Sequence, residues 1–274
     1  MQSVNTNVGA MIALQNLNMT SSQLQATQQI ISTGLKVGSA KDDGATYAIA
    51  QSQRATVASL DSVKDSLNRG SSVVDVAMSA GDSVTDLLTQ MKEKALAASD
   101  TSLDTTSRAA MATDFASMRD QITKTLSNAS FNGINIIDGT NASISALANA
   151  SGTSVITVAG ENMSLGGSIV SVGSAATFAS ATSASNLLTT LDSSINNVSA
   201  ALAKLGTSST ALSNHSTFVG KLQDSLNAGI GNLVDADMAQ ESAKLQALQT
   251  KQSLGVQALS IANQSTSTVL SLFR

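Results

Sequence analysis

The chain has 274 residues, enough for one large domain or two ordinary ones, and it carries a net charge of −4. It contains no proline, cysteine or tryptophan, and 12% of its residues are charged. The lack of cysteine excludes disulfides, thiol nucleophiles and cysteine-based zinc sites. The acidic balance and the 2% of aromatic residues argue against nucleic-acid binding, which needs a basic face and stacking rings. The lack of proline fits long helices, because an interior proline removes a backbone donor.

Targeting signals are not evident at the N-terminus. The first cationic side chain is Lys36, so the basic region of a signal peptide is missing, as is its sustained apolar core. No run of about 18 apolar residues occurs, so we expect no membrane insertion. These rules alone predict a cytosolic protein.

The first 35 residues carry no charged side chain. Their apolar residues recur at coiled-coil spacing, and Ser21 and Gln28 take intervening seam positions. A solvated helix normally carries charges, whereas uncharged polar groups avoid the large desolvation cost of ions. The pattern therefore predicts a helix that is buried against partners. The apolar seam of this helix consists of Leu14, Leu17, Leu24 and Ile31, and Leu35 follows it.

The C-terminal segment carries a similar pattern with two apolar rows. A 3,4-spaced stripe passes through Gln252, Gly255 and Thr266, and a second row runs beside it. Two adjacent rows make a wider apolar surface than one partner helix covers. We therefore expect the two chain ends to pair with each other and with further copies. The stripe contains Leu245, Leu248, Leu259, Ala262, Val269 and Phe273, and the second row contains Leu254, Ala258, Ile261, Ser265, Thr268 and Leu272.

Further long helices are predicted between the two ends. Residues 44–98 carry apolar side chains at helical spacing. After a short break, another amphipathic helix is expected to begin at Asp104 and Thr105, which are ordinary N-cap residues. A strict 3,4-spaced stripe then runs from Leu188 to Leu226.

The segment from about residue 131 to 185 differs, because glycine, serine, threonine and alanine dominate it. "FNGINIIDG" at 131–139 is typical of a turn with short β character, and "SVITVAG" at 154–160 alternates like a strand. A compact β-hairpin insertion is favoured over a partly mobile loop. Its hydroxyl groups are candidates for O-glycosylation, which intact-protein mass spectrometry would reveal.

Two groups of charged residues are candidates for chemistry. Lys41, Asp42 and Asp43 stand together, and Asp235 and Asp237 precede the C-terminal stripe. Catalytic carboxylate pairs converge in a pocket that separates their pKa values, whereas a carboxylate at a helix start binds free N–H groups and complements the dipole. The second group lacks the glycine and the terminal glutamate of a calcium loop. Helix capping is therefore the favoured interpretation of both groups.

His215 is the only histidine, three residues after Leu212 and four before Val219 on the apolar seam. We expect a hydrogen-bonded structural histidine there. One histidine without cysteine builds neither a zinc site nor a Ser-His triad with a spare partner. No GxxxxGK[ST] or GxGxxG sequence occurs. The sequence thus predicts no enzyme, no cofactor and no metal.

Several longer motifs resemble those of bacterial flagellins. "ISTGLKVGSAKDDGATYAIAQSQR" (31–54) resembles the N-terminal signature of that family, in which S-x-G-L, S-A-K-D-D and A-I-A recur. "NTN" (5–7) matches the opening motif, and "FNGINIIDG" matches the F-N-G turn. "LVDADMAQESAKLQALQ" (233–249) and "ALSIANQSTSTVLSLFR" (258–274) resemble the family's D-x-D-x-A-x-E run and its C-terminus. The resemblance spans almost the whole chain, in the right order.

The resemblance implies a mainly α fold with long antiparallel helices. The two termini would form a coiled coil, and a helical bundle with a small β-hairpin insertion would form the next layer. The implied division has five parts: residues 1–40 and 235–274 form the inner coiled coil, 41–138 and 186–234 form the helical core, and 139–185 form a minimal outer insertion.

The same resemblance implies a structural subunit that polymerises into the flagellar filament used for swimming. Partners would be identical or related flagellins, the cap and hook-junction proteins, an export chaperone and the type III export apparatus. Family members are exported unfolded without a cleaved signal peptide, so the implied location is the extracellular flagellum. The terminal seam residues would carry self-assembly. Lys41, Asp42, Asp43, Asp235 and Asp237 would mark the boundary between layers and contact other subunits.

The chain departs from the family at positions that matter for detection by the flagellin-sensing toll-like receptor. Sensed members carry a motif similar to L-Q-R-V-R-E-L-A-V-Q, and the matching stretch here is "LTQMKEKALA" (88–97). Glu93 is kept, Gln90 and Lys92 replace arginines, and Ala211 stands where a second motif has arginine. We expect weak or absent receptor activation. Thr266 replaces a usual proline, which would let the last helix run closer to the end.

Three rival functions remain at this stage. The nearest is a hook–filament junction protein, which shares the terminal motifs but joins two structures. An enzyme on a flagellin scaffold would need an H-E-x-x-H insertion, and the sequence has none. A secreted lipid-binding or adhesive helical protein would bind membranes without polymerising.

Overall fold

A computed structural model describes the backbone of residues 6–271 and the side chains of residues 6–264. Within that range the chain forms five helices and two strands, which confirms the mainly α prediction. In chain order the elements are α1 Val8–Thr33, α2 Gly44–Ala98, α3 Thr105–Asn128, β1 Ser143–Leu147, β2 Val155–Ala159, α4 Ala181–Val234 and α5 Met238–Ser271.

The chain divides into two compact units, and the helices α2 and α4 each contribute residues to both. The terminal unit combines residues 1–55 with residues 225–274, and the middle unit spans residues 56–224. The five-part division expected from the sequence stays a prediction. The helix α4 begins at Ala181, where Ser180 and Ser183 accept hydrogen bonds from each other's backbone N–H at 3.2 and 3.0 Å.

The middle unit encloses an apolar core drawn from its helices and the loops between them. Buried side chains recur along α2, α3 and α4 at helical spacing, as expected for amphipathic helices that share one core. Phe115 and Phe178 meet edge to face with ring centroids 5.4 Å apart. The largest fully buried side chains include Leu67, Leu88, Met91, Phe115, Ile122, Ile136, Ile137, Met163, Leu191, Leu205 and Leu212.

The two strands form an antiparallel hairpin in which Ser143 pairs with Ala159 and Leu147 with Val155. The strand predicted at 154–160 is therefore confirmed to within one residue at each end. The Ser66 hydroxyl accepts a hydrogen bond from the Leu147 N–H at 3.0 Å, which holds the hairpin against α2.

Local signals fix the corners of the middle unit. The N-cap prediction at Asp104 is confirmed, because its carboxylate accepts hydrogen bonds from the N–H groups of Thr106 and Ser107. In the predicted turn at 131–139, Asn132 and Gly133 take positive φ angles of 51° and 77°. A two-residue hairpin turn of this kind needs positive φ at both positions, so an Asn-Gly pair suits it.

Candidate assembly surface

The terminal unit is built on the pairing of α1 with α5. The Asn7 side chain caps α1 by accepting a hydrogen bond from the Ala10 N–H at 3.0 Å. Its amide nitrogen also donates to the Ala262 carbonyl of α5 at 2.8 Å. The two helices therefore run antiparallel, with the start of α1 beside the later part of α5.

The other end of this helix pair is closed by backbone hydrogen bonds. Gly34 ends α1 in the left-handed region at φ 71°, and its N–H donates to the Ile30 carbonyl. The Lys36 N–H then donates to the Val234 carbonyl at 2.7 Å, and the Ala236 N–H donates to the Gly34 carbonyl at 2.9 Å. Half-buried Leu35 lies in this bridge, opposite Asp235.

The seam of α1 differs by one position from the sequence expectation. Thr20 and Thr27 are buried, whereas Leu14 is 47% exposed and Gln28 is exposed. The expected Leu17, Leu24 and Ile31 are half-buried. Both versions of the seam repeat every seven residues, so periodicity alone did not distinguish them. The structure places the small threonines inward, as close helix packing favours, and leaves Leu14 outside.

The α5 stripe lies where the sequence placed it. Leu248 is buried, and Leu245, Leu259 and Ala262 are half-buried along the same face. Gly255 allows close contact with α1, because a Cβ there would lie 3.3 Å from a methyl carbon of Leu17. The side chains of Val269, Leu272 and Phe273 lie outside the described residues.

Large apolar side chains remain exposed on the faces that point away from this seam. Leu254 follows Leu245 by nine residues, and Ile261 follows Gln252 by nine, which is two and a half turns at 3.6 residues per turn and places each pair on opposite sides of the helix. The second row predicted for α5 is therefore solvent-facing. The outer apolar residues, as we call them, are Val8, Met11, Ile12, Leu14 and Met19 of α1 and Leu254, Val256 and Ile261 of α5, each 47–67% exposed.

The charged group after α1 splits into two structural roles. Asp42 closes the loop before α2, where its carboxylate accepts hydrogen bonds from the N–H groups of Gly38 and Ser39 at 3.1 and 2.9 Å. Asp43 caps α2 by accepting from the N–H groups of Ala45 and Thr46 at 3.0 and 3.1 Å. Lys41 is exposed beside them.

Hydrogen bonds also determine the protonation of Asp43. The Thr46 hydroxyl donates to its carboxylate at 2.7 Å, and this bond, followed by the Thr46 N–H, lowers the pKa of Asp43. The charged form is therefore the one that caps the helix.

Asp235 and Asp237 also have separate roles. Asp237 caps α5 by accepting from the N–H groups of Ala239 and Gln240 at 3.0 and 3.2 Å. Asp235 instead belongs to the bridge with Leu35, and its N–H donates to the Gly231 carbonyl at 2.8 Å. Capping thus explains the carboxylate of Asp237, whereas Asp235 takes part in chain closure through its backbone.

The residues that the resemblance would match to the receptor motif lie on α2 and α4 in the middle unit. Gln90, Glu93 and Ala211 are exposed. The Lys92 amine forms an ion pair with Asp192 at 2.5 Å, so it is engaged within the chain.

Metal-ligating side chains do not cluster in the part of the chain that the structure describes. Its His, Cys, Asp and Glu residues form no group of three that could hold a metal ion. His215 Nε2 donates to the Ala148 carbonyl at 2.7 Å and is a structural residue that holds the loop after β1. Among these same residues, no helix is long and apolar enough to cross a membrane.

Family models match both ends of the chain. The bacterial flagellin N-terminal helical region matches residues 4–142, and the bacterial flagellin C-terminal helical region matches residues 188–273. The unmatched middle contains both strands. The terminal unit and most of the middle unit are therefore the parts that this chain shares with the family.

Similar proteins agree over the full length. Flagellin FljM of Caulobacter vibrioides is 59% identical and the match covers 100% of this chain and 99% of that protein. A flagellin of Brucella melitensis is 36% identical over 100% of both chains. A solved structure from Vibrio parahaemolyticus, described as a flagellar hook-associated protein, shares 14% identity with a TM-score of 0.60, and the match covers 71% of this chain and 100% of that one. At that identity the likeness shows the fold alone.

The paired chain ends, the helical core and these relatives define the structural subunit of a bacterial flagellar filament. This confirms the function predicted from the sequence. The chain belongs to the bacterial flagellin family.

Proposed function

We propose that this subunit polymerises through the outer apolar residues of α1 and α5. The observation that carries the proposal is the exposure of eight large apolar side chains on one pair of helices. Neither helix buries them within the chain, and exposed apolar surface of this kind marks contact with other molecules. Copies that bind through two different faces propagate as an open helix instead of closing into a ring.

The proposal assigns the contacts at each end of the helix pair. The seam residues hold α1 to α5, and Leu14 and Ile261 contact neighbouring copies. Lys41, Asp42, Asp43, Asp235 and Asp237 mark the start of the next layer, where Lys41 pairs with another subunit. The role is structural rather than catalytic, and it includes contacts with the cap and hook-junction proteins.

The proposed function also includes export from the cell. We place the assembled protein outside the cell on the flagellum, delivered unfolded by the type III export apparatus with an export chaperone. Membership of the family supports this placement, and so does a chain without proline or cysteine, because neither X-Pro isomerisation nor disulfide formation delays its refolding.

A double substitution on α5 tests the proposed contacts. Leu254→Gln with Ile261→Gln leaves the α1–α5 seam intact but removes two apolar groups that would be buried between copies. Burying one such side chain is worth about 1.5–3 kcal/mol, so the loss of two raises the concentration needed for seeded elongation by at least about a hundredfold. This concentration is measured by electron microscopy and sedimentation after the protein is seeded with filament fragments.

The matched control is Leu96→Gln, which changes an equally exposed leucine on α2. It should elongate like the parent. Deletion of residues 1–30 or of residues 245–274 should leave a soluble helical core that does not polymerise. Filaments from either deletion, or parent-like elongation by the double variant, would contradict the proposed surface.

A further inference from the structure

Methionine is the residue type in this chain that peroxides oxidise most readily. With no cysteine among its 274 residues, the nine thioethers are the side chains most readily oxidised by peroxides. The structure separates them sharply, because Met91 and Met163 are fully buried whereas Met11 and Met19 are 62% and 52% exposed. An oxidant therefore reaches these two α1 sulfurs without any unfolding.

Both exposed sulfurs lie on the same outward face of α1. Met11 and Met19 line a groove of about 590 Å³ together with Leu14 and polar side chains from the same helix. Met11 precedes the buried Thr20 by nine residues, which is two and a half turns at 3.6 residues per turn and places the two residues on opposite sides of α1. The groove thus lies opposite the seam with α5, and its sulfurs take no part in the fold of the terminal unit.

We propose that Met11 and Met19 are oxidation sites that block addition of the free subunit to the filament. This inference rests on the proposed function, because it requires the outer apolar residues to be buried between copies. The oxidant is hydrogen peroxide: one of its oxygens is transferred to the sulfur, the O–O bond breaks, and water leaves. Each methionine loses two electrons and becomes a sulfoxide, while the peroxide is reduced.

The consequence follows from the polarity of the product. A sulfoxide converts a flexible apolar side chain into a polar one, and burial of a polar group without a hydrogen-bond partner is unfavourable. An oxidised α1 keeps its seam but loses the apolar character of its outer face. Subunits already inside a filament are protected, because the neighbouring copy covers both sulfurs.

The experiment treats the folded full-length subunit with hydrogen peroxide, removes the peroxide with catalase, and maps sulfoxides by peptide mass spectrometry. Seeded elongation is then followed by light scattering and electron microscopy. Two buried sulfoxides should slow elongation by about tenfold or more. Treatment with the methionine sulfoxide reductases for both sulfur epimers should restore the untreated rate.

Variants assign the effect to the two residues. Met11→Leu with Met19→Leu keeps the outer face apolar and should elongate after peroxide as it does before. Met238→Leu removes a different methionine, 43% exposed, and should stay as sensitive as the parent. Filaments treated with the same peroxide should show little sulfoxide at residues 11 and 19.

The outcomes separate this inference from the function on which it rests. An untreated parent that does not elongate counts against the assembly surface itself. An untreated parent that elongates, with an oxidised parent that elongates equally well, overturns the inference alone. A double leucine variant that peroxide blocks as strongly as the parent would also overturn it, because the effect would then come from other residues.

Discussion

Asp42 and Asp43 show how two adjacent carboxylates hold different parts of a chain. Asp42 binds the N–H groups of a loop, and Asp43 binds the first N–H groups of α2. Neighbouring side chains on an irregular segment diverge, so they do not form the convergent pair that acid–base catalysis requires. The charged cluster that follows the uncharged helix thus joins the end of α1 to the start of α2.

The cap at Asp43 predicts a specific dependence on pH. Since its folded-state pKa is lowered, Asp43 stabilises the fold above the unfolded value of about 3.9, and this stabilisation is lost as pH falls through the folded-state pKa. Asp43→Asn keeps an acceptor that does not titrate. Thermal unfolding by circular dichroism should show a smaller acid-induced loss in melting temperature for the variant than for the parent.

The control for this measurement is Asp75→Asn, which removes one negative charge from an exposed face of the same helix. Its loss of melting temperature on acidification should stay close to that of the parent. An identical acid response of parent and Asp43→Asn would show that the cap does not depend on charge.

At the scale of elements, the pairing of α1 with α5 buries two threonines whose hydroxyl groups differ in their hydrogen bonding. The Thr20 hydroxyl donates to the Asn16 carbonyl at 2.9 Å, one turn earlier in the same helix. The Thr27 hydroxyl is buried without a hydrogen-bond partner. An unpaired buried hydroxyl is destabilising, so the seam is not optimised for stability at Thr27.

Valine substitutions test this difference, because valine matches the shape of threonine without its hydroxyl. Thr27→Val should stabilise α1 by about 1 kcal/mol, since an unpaired polar atom no longer has to be desolvated. Thr20→Val should have a smaller effect, because it also removes a hydrogen bond. Amide hydrogen exchange of α1 measures both. A destabilised Thr27→Val would mean that the Thr27 hydroxyl has a partner in solution.

At the scale of the whole molecule, the departures from the receptor motif should limit innate detection. Three positions carry Gln90, Lys92 and Ala211 instead of arginine, and the Lys92 amine is paired with Asp192. A guanidinium makes planar paired hydrogen bonds that an amine or amide does not reproduce. We therefore expect weak or absent signalling by the purified subunit in a receptor reporter cell line.

Restoring arginine supplies the comparison for that assay. The triple variant Gln90→Arg, Lys92→Arg and Ala211→Arg should signal more strongly than the parent at equal protein concentration. Strong signalling by the parent, or an equal response from both proteins, would contradict the assignment of these positions.

The sequence by itself determined the long helices, the caps at Asp104 and Asp237, and the strand near 154–160. These features are local, because 3.6-residue periodicity, N-cap chemistry and strand alternation act over a few neighbouring residues. It also determined the family, because ordered motifs at both ends lie in a chain that matches flagellins throughout.

Only the tertiary structure decided which residues of α1 face α5 and which stay outside. Leu14 and Thr27 both fit a seven-residue repeat with Leu17 and Leu24, and the repeat does not say which neighbouring position turns inward. Packing against Gly255 and the stripe of α5 decides which position is buried, because burial depends on the shape of the partner helix. Tertiary structure likewise assigned Asp42 to a loop and Asp235 to a bridge, since their hydrogen-bond partners are set by the folded chain.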